Sequence, residues 1–212
     1  YFAKVEAITG VPLDLEQRAW YVATRDGEFA GSSETMWQEY PSTSKECWQK
    51  NIEGAYYAEQ LARARMQGRI GSFPFVSHVP VNSFWDIGNN DGTGVWLHQH
   101  VAPWHTFLAY IEGWGEPFSH FIRRMQEWAS DQGGALWGRH FLPHDGDAER
   151  QLGTRLAKPI DELRTIAPGW NFQIVPRTTE LIHGINRVRD RFSVARFDET
   201  GCEEGLTHLA LY

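Results

Sequence analysis

Beyond residue 73 the apolar positions of this chain recur at two periods, one alternating and one helical. A short apolar run over 83–87 predicts a first strand, and the Gly/Asn/Asp-rich stretch 88–94 predicts a hairpin-like return. Val95, Leu97 and Gln99 then alternate with Trp96, His98 and His100, which predicts a second strand. Over 106–112 Phe107, Ala109 and Ile111 share one face of a third. Phe118, Phe121, Ile122, Met125, Trp128 and Ala129 fall at helical spacing. A fourth strand is predicted over 139–142 and a fifth over 171–175, with a helix over 149–165 that breaks at Pro159. Thr178 is expected to cap a helix carrying Leu181, Ile185, Val188 and Phe192 on one stripe, and a last helix starts near Glu203.

The first 70 residues lack this strand–helix rhythm. A helix is predicted over 13–24, anchored by Trp20 and Tyr21, then a polar loop over 26–33 and a helical stretch over 53–67. The pattern predicts a connector over 1–70 and an α/β domain over 71–212. Three meander strands followed by α/β units make a mixed five-stranded sheet with helices on its faces. The chain begins at Tyr1 and stops at Tyr212 within a helical pattern, so both ends are expected to be cuts in a longer protein.

Composition narrows the class. With 42% hydrophobic and 22% charged residues the 212-residue chain can fill a core and is not a disordered segment. Two cysteines, Cys47 and Cys202, make no disulfide framework and no CxxC pair, which favours a reducing, intracellular setting. The longest uncharged stretch, 92–111, holds Gly, Pro, Gln and three His and is no membrane span; no signal peptide is visible. A formal charge of −7 argues at first sight against a general nucleic-acid binder. The charge is uneven, however: residues 146–196 carry nine Arg/Lys against six Asp/Glu, a balance of +3. Arg187, Arg189 and Arg191 cluster there, although residues two apart do not share a helix face. Phosphate contact through them would be sequence-independent and salt-sensitive; a solvated helix face is the plainer reading.

The sharpest chemical feature is Phe84-Trp85-Asp86-Ile87-Gly88, a carboxylate at the end of an apolar strand followed by a glycine that admits a ligand to the backbone. Phe141-Leu142-Pro143-His144-Asp145-Gly146 repeats the pattern. If the two strands are adjacent and parallel their backbones lie about 4.8 Å apart, and Asp86 and Asp145 face one point at the carboxyl end of the sheet. Acids that close repel unless a cation lies between them, and Mg²⁺ or Mn²⁺ suits an all-oxygen site. Glu112 ends the third strand in the same direction as Asp86, roughly 9–10 Å away along the sheet. Asp91 reads as a turn residue or as the holder of a metal-bound water, and His144 as a residue behind the metal ligands or a surface histidine. Acid-then-Gly is also a common turn. His98 and His100 lack a third ligand at zinc spacing. No phosphate-binding Gly-x-x-x-x-Gly-Lys loop and no Gly-x-Ser-x-Gly elbow occurs, which excludes an ATPase within this chain and disfavours a serine hydrolase.

On these residues the chain resembles the ribonuclease-H-like nuclease domain of tailed-bacteriophage large terminase subunits. That family carries Asp-then-Gly on its first strand, as in Trp85-Asp86-Ile87-Gly88, and a second Asp on its fourth, as in Leu142-Pro143-His144-Asp145-Gly146. Tyr110-Ile111-Glu112 resembles its Tyr-x-Glu segment. Trp37-Gln38-Glu39-Tyr40-Pro41-Ser42 with Glu46 is similar to the stretch leaving the ATPase domain, and 51–69 to the connector into the nuclease. The resemblance implies hydrolysis of duplex, concatemeric DNA with two Mg²⁺ or Mn²⁺ ions. Asp86 would bridge both ions and Asp145 bind one, with Glu112 or Asp91 in support. It also implies an ATPase domain in the same parent chain, the portal and the small terminase subunit as partners, no membrane, and action in the host cytoplasm. One departure stands out. The family has a third Asp in a C-terminal His-x-x-Asp-Ala motif, and this chain is expected to be truncated before it: His208 is followed by Leu209, Ala210 and Leu211, so Leu stands where the Asp would. Two other classes share parts of this pattern: another ribonuclease-H-like nuclease, such as a transposase or junction resolvase, and a non-enzymatic docking module built on the ten Trp.

Overall fold

Alternation decides the architecture. In the strand Val81–Ile87 the residues Val81, Ser83, Trp85 and Ile87 are buried while Phe84 and Asp86 face outward, the period-two pattern of a strand with two different faces. The computed structural model describes residues 1–29, 33–43, 46, 55–88, 92–152, 155–178 and 180–212. These form two compact units, residues 1–55 with 211–212, and residues 56–210.

The first unit is helical: α1 (Phe2–Thr9), α2 (Leu15–Glu28) and α3 (Ser33–Glu39). Asp14 starts α2 with a reciprocal capping box: its carboxylate accepts from the Gln17 backbone N–H and the Gln17 side chain accepts from the Asp14 N–H. The helix runs on to Glu28, past the expected loop start, because nothing in Arg25-Asp26-Gly27-Glu28 forces a stop. Tyr21 is its buried anchor, and Trp20 is 52% exposed. The expected helix over 53–67 is observed, in the second unit, as α4 (Ala58–Met66); residues 55–57 precede it as non-helical chain, and 53 and 54 lie outside the described residues.

The second unit holds a seven-stranded sheet and a two-stranded ribbon. The sheet strands are β1 (Ile70–Gly71), β2 (Val81–Ile87), β3 (Thr93–Val101), β4 (Trp104–Gly113), β5 (Trp137–Leu142), β8 (Asn171–Ile174) and β9 (Ala195–Asp198); β6 (Arg150–Leu152) and β7 (Arg155–Ala157) make the ribbon. The sheet order is β1-β9-β4-β3-β2-β5-β8. β2, β3 and β4 form an antiparallel meander; β5 joins β2 in parallel, β8 joins β5, β9 joins β4 and β1 joins β9. The five expected strands are present, in an α/β fold of the expected class. The sheet has two more because β9 pairs with the edge of β4 and β1, of two residues, pairs in turn with β9; tertiary pairing rather than local period makes both strands.

The helix expected over 149–165 is instead the β6–β7 ribbon followed by α6 (Pro159–Ile166). Pro159 suits the first turn of a helix but not its interior, so the preceding residues cannot continue into it. They satisfy their backbone by pairing Arg150 with Ala157 and Gln151 with Leu156. α7 (Leu181–Arg191) starts without a side-chain cap, and Thr178 lies ahead of its first residue rather than capping it.

Two cores sandwich the sheet. On one face α5 (Phe118–Asp131) and α6 pack Phe121, Ile122, Met125, Ile160 and Leu163 against Val81, Trp85, Val95, Leu97 and Ile111. On the other, α4, α7 and α8 (Glu203–Leu211) bring Leu61, Ile185 and Leu206 onto Trp96, Phe107 and Phe197. Gly205 lets α8 approach closely, since a Cβ there would overlap the rings of Trp96 and Tyr110.

Candidate functional site

The register assembles the site. Asp86 pairs with Gly94 across β2–β3, and Gly94 pairs with Glu112 across β3–β4. The two acids therefore occupy one row on one sheet face, two strand spacings or roughly 9.5 Å apart at the backbone. The residue between them has no side chain. A Cβ on Gly94 would come 2.5 Å from the Tyr110 hydroxyl, so the glycine makes room for that phenol between the acids. The pKa of Tyr110 is raised, first by burial, then by its carboxylate neighbours Glu112, Asp86 and Glu204. From α8, His208 places Nε2 2.7 Å from Glu112 Oε2. Asp86, Tyr110, Glu112, Trp114 and His208 line a cavity of about 210 Å³ whose remaining wall is Gly88, Gly92, Thr93 and Gly94. A glycine-lined wall with two carboxylates suits a ligand that must approach the backbone closely.

The other predicted residues distribute as follows. β2 and β5 are adjacent and parallel, with Phe84 opposite Phe141. Asp145 lies beyond the end of β5 in the 3-10 turn His144–Asp147, half-buried, and does not line the cavity of Asp86 and Glu112. His144 is exposed in the same turn. Asp91 lies outside the described residues. Arg189 is turned to a structural use: its Nε donates to the Tyr56 carbonyl at 2.8 Å and its guanidinium sits over the Tyr56 ring. Arg187 and Arg191, one helical turn apart, are exposed and share a different face of α7.

Two site residues carried no sequence signal of their role. Tyr110 was legible only as part of a short segment before Glu112, and His208 only as a histidine with no Asp three residues on. The sole clue to the latter is Gly205 one turn earlier, a small residue that permits α8 to lie flat on β3 and β4.

Does the donor set suit a divalent cation? Among the described residues no group of three or more His, Cys, Asp or Glu is placed to hold one. Mg²⁺, however, is commonly held by one or two carboxylates with water and substrate phosphate completing its shell. Asp86 and Glu112, hard oxygen donors on one cavity, fit that pattern.

The fold is similar to that of solved terminase nucleases. The nuclease domain of the P22 large terminase superposes with a TM-score of 0.50 at 16% identity, over 68% of this chain and 75% of that one. The large terminase of the thermophilic bacteriophage D6E superposes at 0.50 with 12% identity, and its complex with ADP at 0.50 with 11%, each over 68% of this chain. The chain spans about a third (34%) of the length of these D6E proteins. No family model and no curated protein matches the sequence. The ribonuclease-H-like fold expected from the sequence is thus the one observed.

Proposed function

We propose that residues 71–212 form the metal-dependent endonuclease domain of a viral DNA-packaging terminase, cutting duplex DNA by phosphodiester hydrolysis. The observation that carries this is the row Asp86–Gly94–Glu112 at one end of a ribonuclease-H-like sheet, opening on a glycine-walled cavity. Asp86 and Glu112 would hold Mg²⁺ or Mn²⁺, and a cation there supplies positive charge to the scissile phosphate and acidifies water for attack. The chain's own contributions are positional. His208 lies 2.7 Å from Glu112 Oε2 and Tyr110 lies beside Glu112 on β4, which fixes the direction of the carboxylate. The glycines leave the space a phosphate needs. Asp145 and Asp91 remain our candidates for the rest of the donor set of two ions, with His144 behind Asp145.

Residues 1–70 are proposed as the connector from an ATPase domain of the same parent chain. Duplex DNA, the portal and the small terminase subunit are proposed partners, and the host cytoplasm is the proposed place of action. No helix among the described residues is long and apolar enough to cross a membrane.

Incubation of supercoiled plasmid with Mg²⁺ or Mn²⁺ tests the assignment. The unaltered chain is expected to nick and linearise it, and Asp86→Ala to abolish cleavage with an unchanged melting temperature. A folded Asp86→Ala protein that still cuts at the original rate removes Asp86 from the site. His208→Ala is expected to lower the rate roughly 10–100-fold through Glu112, with partial rescue by His208→Gln.

A further inference from the structure

A second cavity, of about 640 Å³, opens on the same sheet face as Asp86, between β2, β3, β4 and β9 and the helices α7 and α8. Its walls are aromatic: Phe84, Trp96, Phe107 and Phe197. Phe84 is 37% exposed and lies stacked on Phe141, with centroids 5.1 Å apart and planes 13° from parallel. Rings in that state offer a flat partner a surface to stack on.

The polar groups around the cavity narrow what the partner can be. His98 lines the cavity and is 4% exposed; its Nε2 lies 3.1 Å from His105 Nδ1, while its own Nδ1 is buried and makes no hydrogen bond among the described residues. That nitrogen lies behind the wall, so what the cavity offers an occupant is the aromatic faces and the cations at the rim. At the rim, Arg187 and Arg191 of α7 present two exposed guanidinium forks, groups suited to phosphate. A flat ring for the aromatic wall and an anion for the paired guanidinium groups together describe a nucleotide.

Position supplies the source. Phe84 precedes Asp86 by two residues on one face of β2, and Leu209, which lines this cavity, follows His208, which lines the acid cavity. The two sites are therefore roughly 7 Å apart along β2. Resting on the nuclease reading of the acid row, we infer that this cavity receives one unstacked base of the DNA strand, with its phosphate held by Arg187 and Arg191. Because taking a base out of a duplex costs stacking and pairing, the cavity favours single-stranded or frayed DNA.

The test measures binding apart from cleavage. A fluorescein-labelled ten-nucleotide oligo(dT) is titrated with the whole chain in EDTA and followed by anisotropy, with dTMP and deoxyribose 5-phosphate as competitors. The chain is expected to bind the oligonucleotide, and dTMP to compete roughly tenfold better than the sugar phosphate. Val188→Trp, which fills the cavity from an exposed position on α7, and Arg191→Ala are each expected to weaken binding about tenfold with melting temperatures unchanged. No binding by the unaltered chain, equal competition by the two phosphates, or unchanged affinity of both folded variants overturns the inference. Binding that Val188→Trp abolishes in a chain that cuts no plasmid upholds the base pocket and removes the nuclease reading. Cleavage with binding insensitive to both variants does the reverse.

Discussion

Ser83 carries a buried polar chain that shows what one residue contributes here. Its hydroxyl accepts from Trp85 Nε1 at 2.8 Å and lies 2.8 Å from His140 Nδ1, binding β2 to β5 beneath the acid row. His140 is fully buried among Trp137, Trp170 and Phe172, with no charged group among these contacts. Burial pushes its pKa from 6.5 down to about 4. The unfolded chain therefore takes up a proton below pH 6.5 that the folded chain refuses. The stabilisation is full above pH 6.5 and is lost as the pH falls from 6.5 towards 4, on the order of 3 kcal/mol over the window. Thermal unfolding followed from pH 7 to pH 4.5 is expected to show a falling melting temperature, with a shallower slope in His140→Phe. An equal slope in that variant would place the titration elsewhere. None of this was readable in the sequence, where His140 is one more residue of an apolar strand.

At the scale of elements, legibility followed length and periodicity. α5 was legible because Phe118, Phe121, Ile122 and Met125 form one buried stripe over fourteen residues. β2 was legible because four of its seven residues, Val81, Phe84, Trp85 and Ile87, are apolar or aromatic and a glycine follows. β1 and β9 were not, and neither was the β6–β7 ribbon, because short strands are made by the partner that pairs with them. The docking of α8 is such a partner effect. Gly205→Ala gains about 1 kcal/mol of helix propensity, yet its methyl would overlap the Trp96 and Tyr110 rings, and overpacking costs about 1–3 kcal/mol. The second term wins. A lower melting temperature is expected, along with slower plasmid cleavage as His208 moves off Glu112. A melting temperature that rises would mean that α8 does not lie where Trp96 and Tyr110 need it.

For the molecule as a whole, charge sets the terms of DNA contact. A net −7 repels a polyanion, and Arg189, engaged with Tyr56, is withdrawn from the basic cluster. With Arg187 and Arg191 as the exposed pair, oligonucleotide affinity is expected to fall with salt at a log–log slope of about −1.4. Anisotropy titrations between 50 and 200 mM salt measure it; a flat response would mean that phosphate contacts contribute nothing.

By itself the sequence determined the α/β class, the strands β2, β3, β4, β5 and β8, the long helices and the placement of Asp86 and Glu112 at strand ends. Each of these follows from local periodicity and turn chemistry, which act over a few residues. Tertiary structure decided which row those acids share, that Gly94 stands between them, that His208 reaches Glu112 from 96 residues away, and that Arg187 and Arg191 rather than Arg189 face a cavity. Register and helix docking are set by the shapes that pack across the sheet, and those contacts join residues too far apart in the chain for any local pattern to record.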